Sequence, residues 1–267
     1  MLRDITLGQY YNTKSPLHDM DPRTKILGVI FYMVALFSAS SVWEYAFIVL
    51  FTFAVIKISN VPVKFITRGL KPIVMILAFT LVLNLFMTSV GNEIFRLWIF
   101  RITDQGVILA AKMAVRLVLL IMGTSLLTLT TSPIALTGGL ERLMSPLRRI
   151  GVPSHEIAMM MSIALRFIPT LMEETDKIIK AQTSRGADFE SGNIIQKVKA
   201  MVPILVPLFV GAFRRADELA VAMECRCYNG GNNRTSLRVL AFRKVDAIAL
   251  VWCIVLAVGI AMLKIFV

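Results

Sequence analysis

The sequence predicts an all-α polytopic membrane protein, with about five transmembrane helices and a cytoplasmic platform of three further helices, two of them long and crossing. Of its 267 residues, 57% are hydrophobic and only 17% are charged, and the mean hydropathy is +0.72. Soluble domains usually carry about 25% charged residues. Two further observations support the prediction: the chain contains long apolar runs, and a charged helical region separates the last run from the others.

Five apolar runs are each close to the roughly 20 residues that a helix needs to cross the hydrocarbon core of a bilayer. They are Ile26–Val42, Val42–Ile58, Pro72–Val90, Val107–Thr130 and Val245–Leu263. The stretch before them is polar, so we expect no cleavable signal peptide. The runs divide the chain into an N-terminal region with transmembrane helices 1–4 (residues 1–131), a cytoplasmic helical region (132–244) and transmembrane helix 5 (245–267).

The orientation follows from the basic residues in the short loops, because Lys and Arg accumulate on the cytoplasmic side. Basic residues precede the first run and separate the second from the third, whereas the turn between the first two runs has none. These basic residues are Arg3, Lys14, Arg23 and Lys25 in the first group, and Lys57, Lys64, Arg68 and Lys71 in the second. We therefore expect a cytoplasmic N-terminus, a cytoplasmic region 132–244 and an external C-terminus.

The cytoplasmic region is predicted to form three helices, of which the second and third are long. The first runs from Pro133 to Ile150, the second from Ser154 to Ser184 and the third from Asn193 to Cys225, and Ser154 is the expected N-cap of the second. Both long helices begin with an apolar half and end with a charged, amphipathic half. Three prolines in the apolar halves are expected to bend them. They are Pro169, Pro203 and Pro207.

The ends of the two long helices form a weak internal repeat with a spacing of 41 residues. Asp176 lies nine residues before Arg185, and Asp217 lies nine residues before Arg226. Turn-forming glycines follow each arginine. A single arginine in a last helical turn is ordinary capping, since it complements the negative end of the helix dipole. Two in the same register, on helices that project from a membrane protein, instead suggest two contact points for partner proteins.

The composition and motifs of the chain argue against nucleic-acid binding, metal binding and enzyme activity. The formal net charge is +12, but the aromatic residues lie in apolar runs rather than among the basic residues, so we expect no nucleic-acid binding. Cys225, Cys227 and Cys253 are far in sequence from His18 and His155, so no four-ligand metal site is expected. The sequence also lacks a GxxxxGK[ST] phosphate loop and any visible catalytic site, and we expect no ATP hydrolysis and no enzyme activity by this chain.

Polar residues within the apolar runs have two interpretations each. Lys112 and Arg116 share a face of the fourth run, where extension toward the outer interface is favoured over an ion pathway. Asn84 and Asp246 are interpreted as interhelical or interfacial contacts. A group of methionines on the long helices is either an adaptable surface for partners or ordinary packing. Its members are Met159, Met160, Met161 and Met201, with Met144 and Met172 nearby.

These residues together resemble a known family, the transmembrane T components of energy-coupling factor transporters, a branch of the ABC importers. The resemblance covers essentially the whole chain. It includes Asp21-Pro22-Arg23-Thr24-Lys25 at the first run and the proline-containing long helices. It also includes two short motifs that are similar to Ala-Arg-Gly, namely Ser184-Arg185-Gly186 and Cys225-Arg226-Cys227. Cys227 departs from the family pattern, which has glycine there, and alanine is missing before both arginines.

The resemblance implies that the region 132–244 contains the coupling helices. It implies that Ser184, Arg185, Gly186, Cys225, Arg226 and Cys227 dock into two ABC-type ATPase subunits, which bind the ATP, so that this chain needs no cofactor. It further implies an apolar surface for a membrane-embedded, substrate-binding S component. The residues assigned to that surface are Met159, Met160, Met161, Pro169, Met201, Pro203 and Pro207.

The resemblance thus implies a multi-pass subunit of a prokaryotic cell membrane that transmits ATP-driven movement for vitamin or micronutrient uptake. A conventional ABC importer permease, with its own substrate pathway, is the alternative. It would be expected to have shorter coupling helices and polar residues along several spans. A membrane enzyme is third, and the absence of a His, Asp or Glu cluster near a span argues against it.

Overall fold

The computed structural model describes residues 10–87, 93–97, 100–189, 193–230 and 241–266. The chain forms two compact units. Of the described residues, those within 10–139 and 241–266 form the membrane unit, and those within 140–230 form the long-helix unit.

The membrane unit consists of helices that follow the apolar runs. They are α1 (Pro22–Ser38), α2 (Val42–Ser59), α3 (Val63–Arg68), α4 (Val74–Met87), α5 (Asp104–Thr130) and α9 (Lys244–Phe266), with the first part of α6 (Pro133–Met144). The start of α1 lies four residues before the predicted one, because Pro22 occupies its first position and the Asp21 side chain accepts a hydrogen bond from the Arg23 N–H. The predicted third run is divided, since a 3-10 turn at Lys71–Ile73 precedes α4.

Within the described residues, five helices are long and apolar enough to cross a membrane, but they are not the predicted five. The qualifying segments are Val42–Ser59, Val63–Leu85, Asp104–Thr130, Ile195–Cys225 and Lys244–Leu263. Helix α1 is 17 residues long and is missing from this set. One of the long helices of the predicted cytoplasmic region takes its place, because its N-terminal half is apolar on all sides.

A short hairpin interrupts the otherwise helical chain between α4 and α5. Strands β1 (Glu93–Leu97) and β2 (Phe100–Thr103) pair antiparallel, with Arg96 opposite Arg101. The predicted helical fold is confirmed. The hairpin was not predicted, because two strands of four or five residues are too short to show a clear alternation of apolar and polar residues.

The core of the membrane unit forms where α1 packs against α9 and α5 and where α2 packs against α5. Its buried residues include Tyr32, Leu36, Ile48, Leu119, Leu256 and Ile260. The hydroxyl of Tyr32 donates to the Leu119 carbonyl at 3.1 Å and lies 2.9 Å from the Thr52 hydroxyl. Gly123 leaves room for this ring, since a β-carbon there would lie 2.5 Å from Tyr32 Cε1.

Asp246 joins the start of α9 to the start of α1. Its side chain is buried and accepts from the backbone N–H groups of Asp21 and Arg243, both at 2.8 Å. The predicted interhelical role of Asp246 is therefore confirmed. Asn84 differs, because its amide donates to the Thr80 carbonyl one turn earlier in its own helix.

Lys112 and Arg116 bind the turn between α1 and α2, which neither of the two interpretations anticipated. Arg116 donates from Nη2 to the Ala39 carbonyl and from Nε to the Tyr45 hydroxyl, both at 2.9 Å. Lys112 Nζ donates to the Ser40 carbonyl at 2.6 Å. The last carbonyls of a helix lack partners within it and carry negative partial charge, so both cations stabilise the end of α1.

The long-helix unit contains the end of α6, a 3-10 segment Ser145–Ile150, α7 (Ser154–Ser184) and α8 (Ile194–Cys225). Gly151 ends the 3-10 segment at φ +90°. The predicted N-cap Ser154 is wrong: Pro153 occupies the cap and Ser154 is the first, buried residue of α7. Pro169, Pro203 and Pro207 all lie inside continuous helices. That they bend these helices stays a prediction.

Candidate functional site: two arginine-capped helix ends

The C-terminal end of α7 is closed by a left-handed glycine cap. The Gly186 N–H donates to the Thr183 carbonyl and the Ala187 N–H donates to the Gln182 carbonyl, both at 3.0 Å. Gly186 has φ +87°. These two hydrogen bonds form a Schellman motif, which satisfies carbonyls that have no partner further along the helix. Arg185 is thereby held at the turning point of the chain.

The end of α8 has the same hydrogen bonds 41 residues later. The Cys227 N–H donates to the Glu224 carbonyl at 2.8 Å, and the Tyr228 N–H donates to the Met223 carbonyl at 3.0 Å. The N–H of Arg226 donates to Met223, as that of Arg185 does to Gln182. The weak repeat in the sequence is therefore a repeat of backbone geometry, in which the two arginines occupy equivalent positions.

Cys227 keeps the geometry that glycine provides at the first end. Its φ is +55°, in the left-handed region that residues with a β-carbon rarely adopt. Compared with Gly186 at the first end, Cys227 adds a side chain and backbone strain, while the direction of the chain is unchanged.

The six residues of the two motifs are all exposed. Among the described residues, neither the Arg185 nor the Arg226 guanidinium has a hydrogen-bond or ion-pair partner. Each presents five donors in a rigid planar fork, which suits carboxylates and backbone carbonyls of another protein. The cap alone is not distinctive, since Gly151 closes the preceding segment in the same way, but there the residue before the glycine is Ile150.

The two long helices contact each other eleven residues before each arginine. Glu174 of α7 accepts from Arg215 Nη2 of α8 at 2.5 Å. Gly211 lies on the same face of α8, and a β-carbon there would be 2.9 Å from Glu174 Oε1. Sequence reasoning missed this contact, although the register of the repeat contains it, because residue 174 plus 41 is residue 215.

The apolar half of α8 is largely exposed, whereas that of α7 is mostly half-buried with exposed residues among them. Met160, Met161 and Met201 are 58%, 40% and 52% exposed. Pro169, Pro203 and Pro207 are also exposed, whereas Met159 is half-buried. Further exposed apolar residues on α8 extend this surface, namely Val202, Leu205, Val206, Phe209 and Val210.

No cluster of three or more potential metal ligands occurs in the part of the chain that the structure describes. Cys225 and Cys227 are exposed free thiols. His155 Nδ1 lies 2.7 Å from Glu141 Oε1, a pair that sequence reasoning did not identify and that offers only two ligands.

These features define a class: multi-pass helical membrane proteins with a matched pair of arginine-capped long helices. The sequence profile of the CbiQ family, described as cobalt transport protein, matches residues 13–237. Full-length relatives are each called energy-coupling factor transporter transmembrane protein EcfT. The chain is 57% identical to the protein of Clostridium kluyveri over 257 residues, covering 96% of this chain and 95% of the relative.

Two further relatives carry the same name. The Acidaminococcus fermentans protein is 51% identical over 267 residues (100% of this chain, 96% of the relative), and the Bacillus subtilis protein is 48% identical over 257 residues (96% and 97%). The chain belongs to this family, the transmembrane components of energy-coupling factor transporters. The resemblance that the sequence suggested is thus confirmed, and the chain is a multi-pass membrane subunit of a transporter.

Proposed function

We propose that this chain transmits ATP-driven movement from two cytoplasmic ATPase subunits to a substrate-binding S component in the membrane, for uptake of a vitamin or micronutrient. The single observation that carries the proposal is the pair of equivalent, exposed, arginine-capped ends of α7 and α8. Two equivalent ends fit two related partner subunits, one for each end. The chain itself is then non-catalytic, and its ATPase partners bind the ATP.

The docking residues in this proposal are Ser184, Arg185, Gly186, Cys225, Arg226 and Cys227. The small residues beside each arginine leave the guanidinium as the most prominent group at the helix end. A partner groove lined by carboxylates and carbonyls would receive it with charge-assisted hydrogen bonds, which are short and directional. Within the described part of the chain both guanidinium groups are without a partner, which supports this role.

The S component would contact the apolar halves of α7 and α8, through Met159, Met160, Met161, Pro169, Met201, Pro203 and Pro207. Methionine side chains repack readily, so one surface can accept partners of different shape. In this arrangement α7, α8 and the N-terminus face the cytoplasm and the C-terminus faces outward, in agreement with the distribution of basic residues.

The proposal is tested by purifying the tagged chain from its native membrane and identifying the proteins that accompany it. Recovery of two ABC-type ATPases and a small membrane protein is the expected result. Recovery of ATPases with a periplasmic or lipoprotein receptor would instead indicate the conventional permease and contradict the proposal.

A further inference from the structure

The ion pair between Glu174 and Arg215 lies at equivalent positions of the repeated helices. Within the aligned register, Glu173-Glu174 of α7 corresponds to Arg214-Arg215 of α8. The contact therefore joins a residue of α7 to its counterpart in the repeat, and two identical helix sequences would bring identical side chains together here. Identical charges at such a position would repel, whereas here an acidic residue meets a basic one.

The contact is close and directional. The two side chains are 27% and 33% exposed, so the pair is partly shielded from solvent, and the Nη2–Oε2 distance is 2.5 Å. Gly211 lies one turn before Arg215, and any side chain there would displace the Glu174 carboxylate. The sequence of α8 therefore supplies both a cation for Glu174 and the space in which its carboxylate lies.

This contact divides each long helix into two arms. From Glu174 to Arg185 and from Arg215 to Arg226 there are eleven residues in both cases, or about 16 Å of helix. On the other side, Met160 and Met201 each lie fourteen residues before the contact, about 21 Å away. The two helices thus have arms of matched length on both sides of one point.

We propose that Glu174 and Arg215 are positioning residues that fix the point about which α7 and α8 move relative to each other. Because the pair holds the helices at one register, a displacement of the two arginine ends is converted into a defined displacement of the apolar arms. Without the pair the helices remain formed and keep their caps, but the distance between their ends is no longer defined. The part of this inference that concerns transport rests on the proposed function.

The test measures the distance between the two ends directly in the full-length chain in nanodiscs. Spin labels are attached at Ala181→Cys and Ala222→Cys, which are equivalent exposed positions, after the native cysteines have been replaced. If the Glu174–Arg215 ion pair fixes the helices, the distance between the two spin labels should have one narrow distribution. Glu174→Gln should lose the narrow peak, and the charge exchange Glu174→Arg with Arg215→Glu should restore it.

Matched controls are available one residue earlier in each helix. Glu173→Gln and Arg214→Gln remove the same charges from exposed positions, and both should leave the narrow peak unchanged. An unchanged peak in Glu174→Gln, or a charge exchange that does not restore it, would overturn the proposal. A loss of the peak in the two controls as well would also overturn it, since the effect would then come from net charge.

A second measurement separates positioning from assembly in the complete complex. Glu174→Gln should keep both ATPases bound but reduce uptake per ATP hydrolysed, and the charge exchange should recover that ratio. If Glu174→Gln leaves the uptake per ATP hydrolysed unchanged, the Glu174–Arg215 pair has no role in coupling. The proposed function is tested independently of this inference. It fails if the double variant Arg185→Glu, Arg226→Glu still binds both ATPases, even where the spin-label distances agree with the role of the ion pair.

Discussion

At the residue scale, the second helix end depends on a cysteine in a conformation that favours glycine. Cys227 has φ +55°, and Gly186 occupies the equivalent position at the first end. The shared hydrogen bonds show that the cap forms with either residue, so the difference between the ends lies in strain and side-chain chemistry rather than in backbone direction.

Replacing Cys227 by glycine should stabilise the second end by about 0.5–1 kcal/mol, because the left-handed backbone then carries no steric cost from a β-carbon. The Tyr228 amide, which bonds to the Met223 carbonyl, should exchange with solvent more slowly. Cys225→Gly is the control: it places glycine at the last helical position and should accelerate exchange. Faster exchange in Cys227→Gly would show that the cap is not strained.

His18 provides a pH-dependent contact in the segment before α1. Its Nε2 lies 3.0 Å from the Tyr11 carbonyl and must donate the proton, so Nδ1 of the neutral ring accepts from the Ser15 hydroxyl at 2.7 Å. Burial lowers the pKa of His18 below 6.5, and nearby Lys25 contributes to the lowering. The folded state therefore favours the neutral ring.

The contribution of His18 to stability is present above pH 6.5 and is lost as the pH falls through the lowered pKa. We expect the protection of the Tyr11 amide, which bonds to the Leu129 carbonyl, to decrease on acidification below pH 6.5. His18→Gln should remove this dependence. Protection that is independent of pH in the unmodified chain would contradict the interpretation.

At the element scale, the packing of α5 against α1 depends on Gly123. Gly123→Ala would place a methyl group 2.5 Å from Tyr32 Cε1, and the ring is held by its hydroxyl contacts with Thr52 and Leu119. Overpacking of this kind costs about 1–3 kcal/mol. The substitution should lower the unfolding temperature of the detergent-solubilised chain.

Gly138→Ala is the matched control, because no atom lies within 4 Å of the added β-carbon. In α6 this change should be neutral or stabilising, by up to about 1 kcal/mol, since alanine favours the helix. Equal effects of the two substitutions would mean that the contact with Tyr32 does not constrain α5.

The sequence predicted correctly those elements whose bounds are set by residues within the element itself. The bounds of α7 and the end of α8 agree with the predictions because apolar periodicity and turn residues lie within the segments themselves. The contacts of Arg116 with the α1–α2 turn and of Glu174 with Arg215 were missed, since they join residues 77 and 41 positions apart. The paired arginine ends were found because a repeat makes a distant relationship visible along the chain.

At the scale of the whole molecule, the distribution of basic residues predicts the orientation in the membrane. The loops before α1 and between α2 and α4 are basic, so a tag at the N-terminus should be protected from external protease in intact cells. A tag at the C-terminus, after an odd number of crossings, should be cleaved. The same accessibility at both termini would contradict the predicted number of spans.

In the proposed function, Arg185 and Arg226 hold the ATPases to the membrane subunit. Removing a buried charged contact at an interface costs about 2–5 kcal/mol, so each reversal to glutamate should weaken binding at least about tenfold. The decisive measurement is the amount of ATPase that copurifies with the double variant Arg185→Glu, Arg226→Glu. Lys180→Glu with Arg214→Glu serves as the control, because it changes the net charge equally at other exposed positions. Loss of both ATPases in the first variant and retention in the second is the expected result, whereas normal assembly and transport by the first would contradict the account.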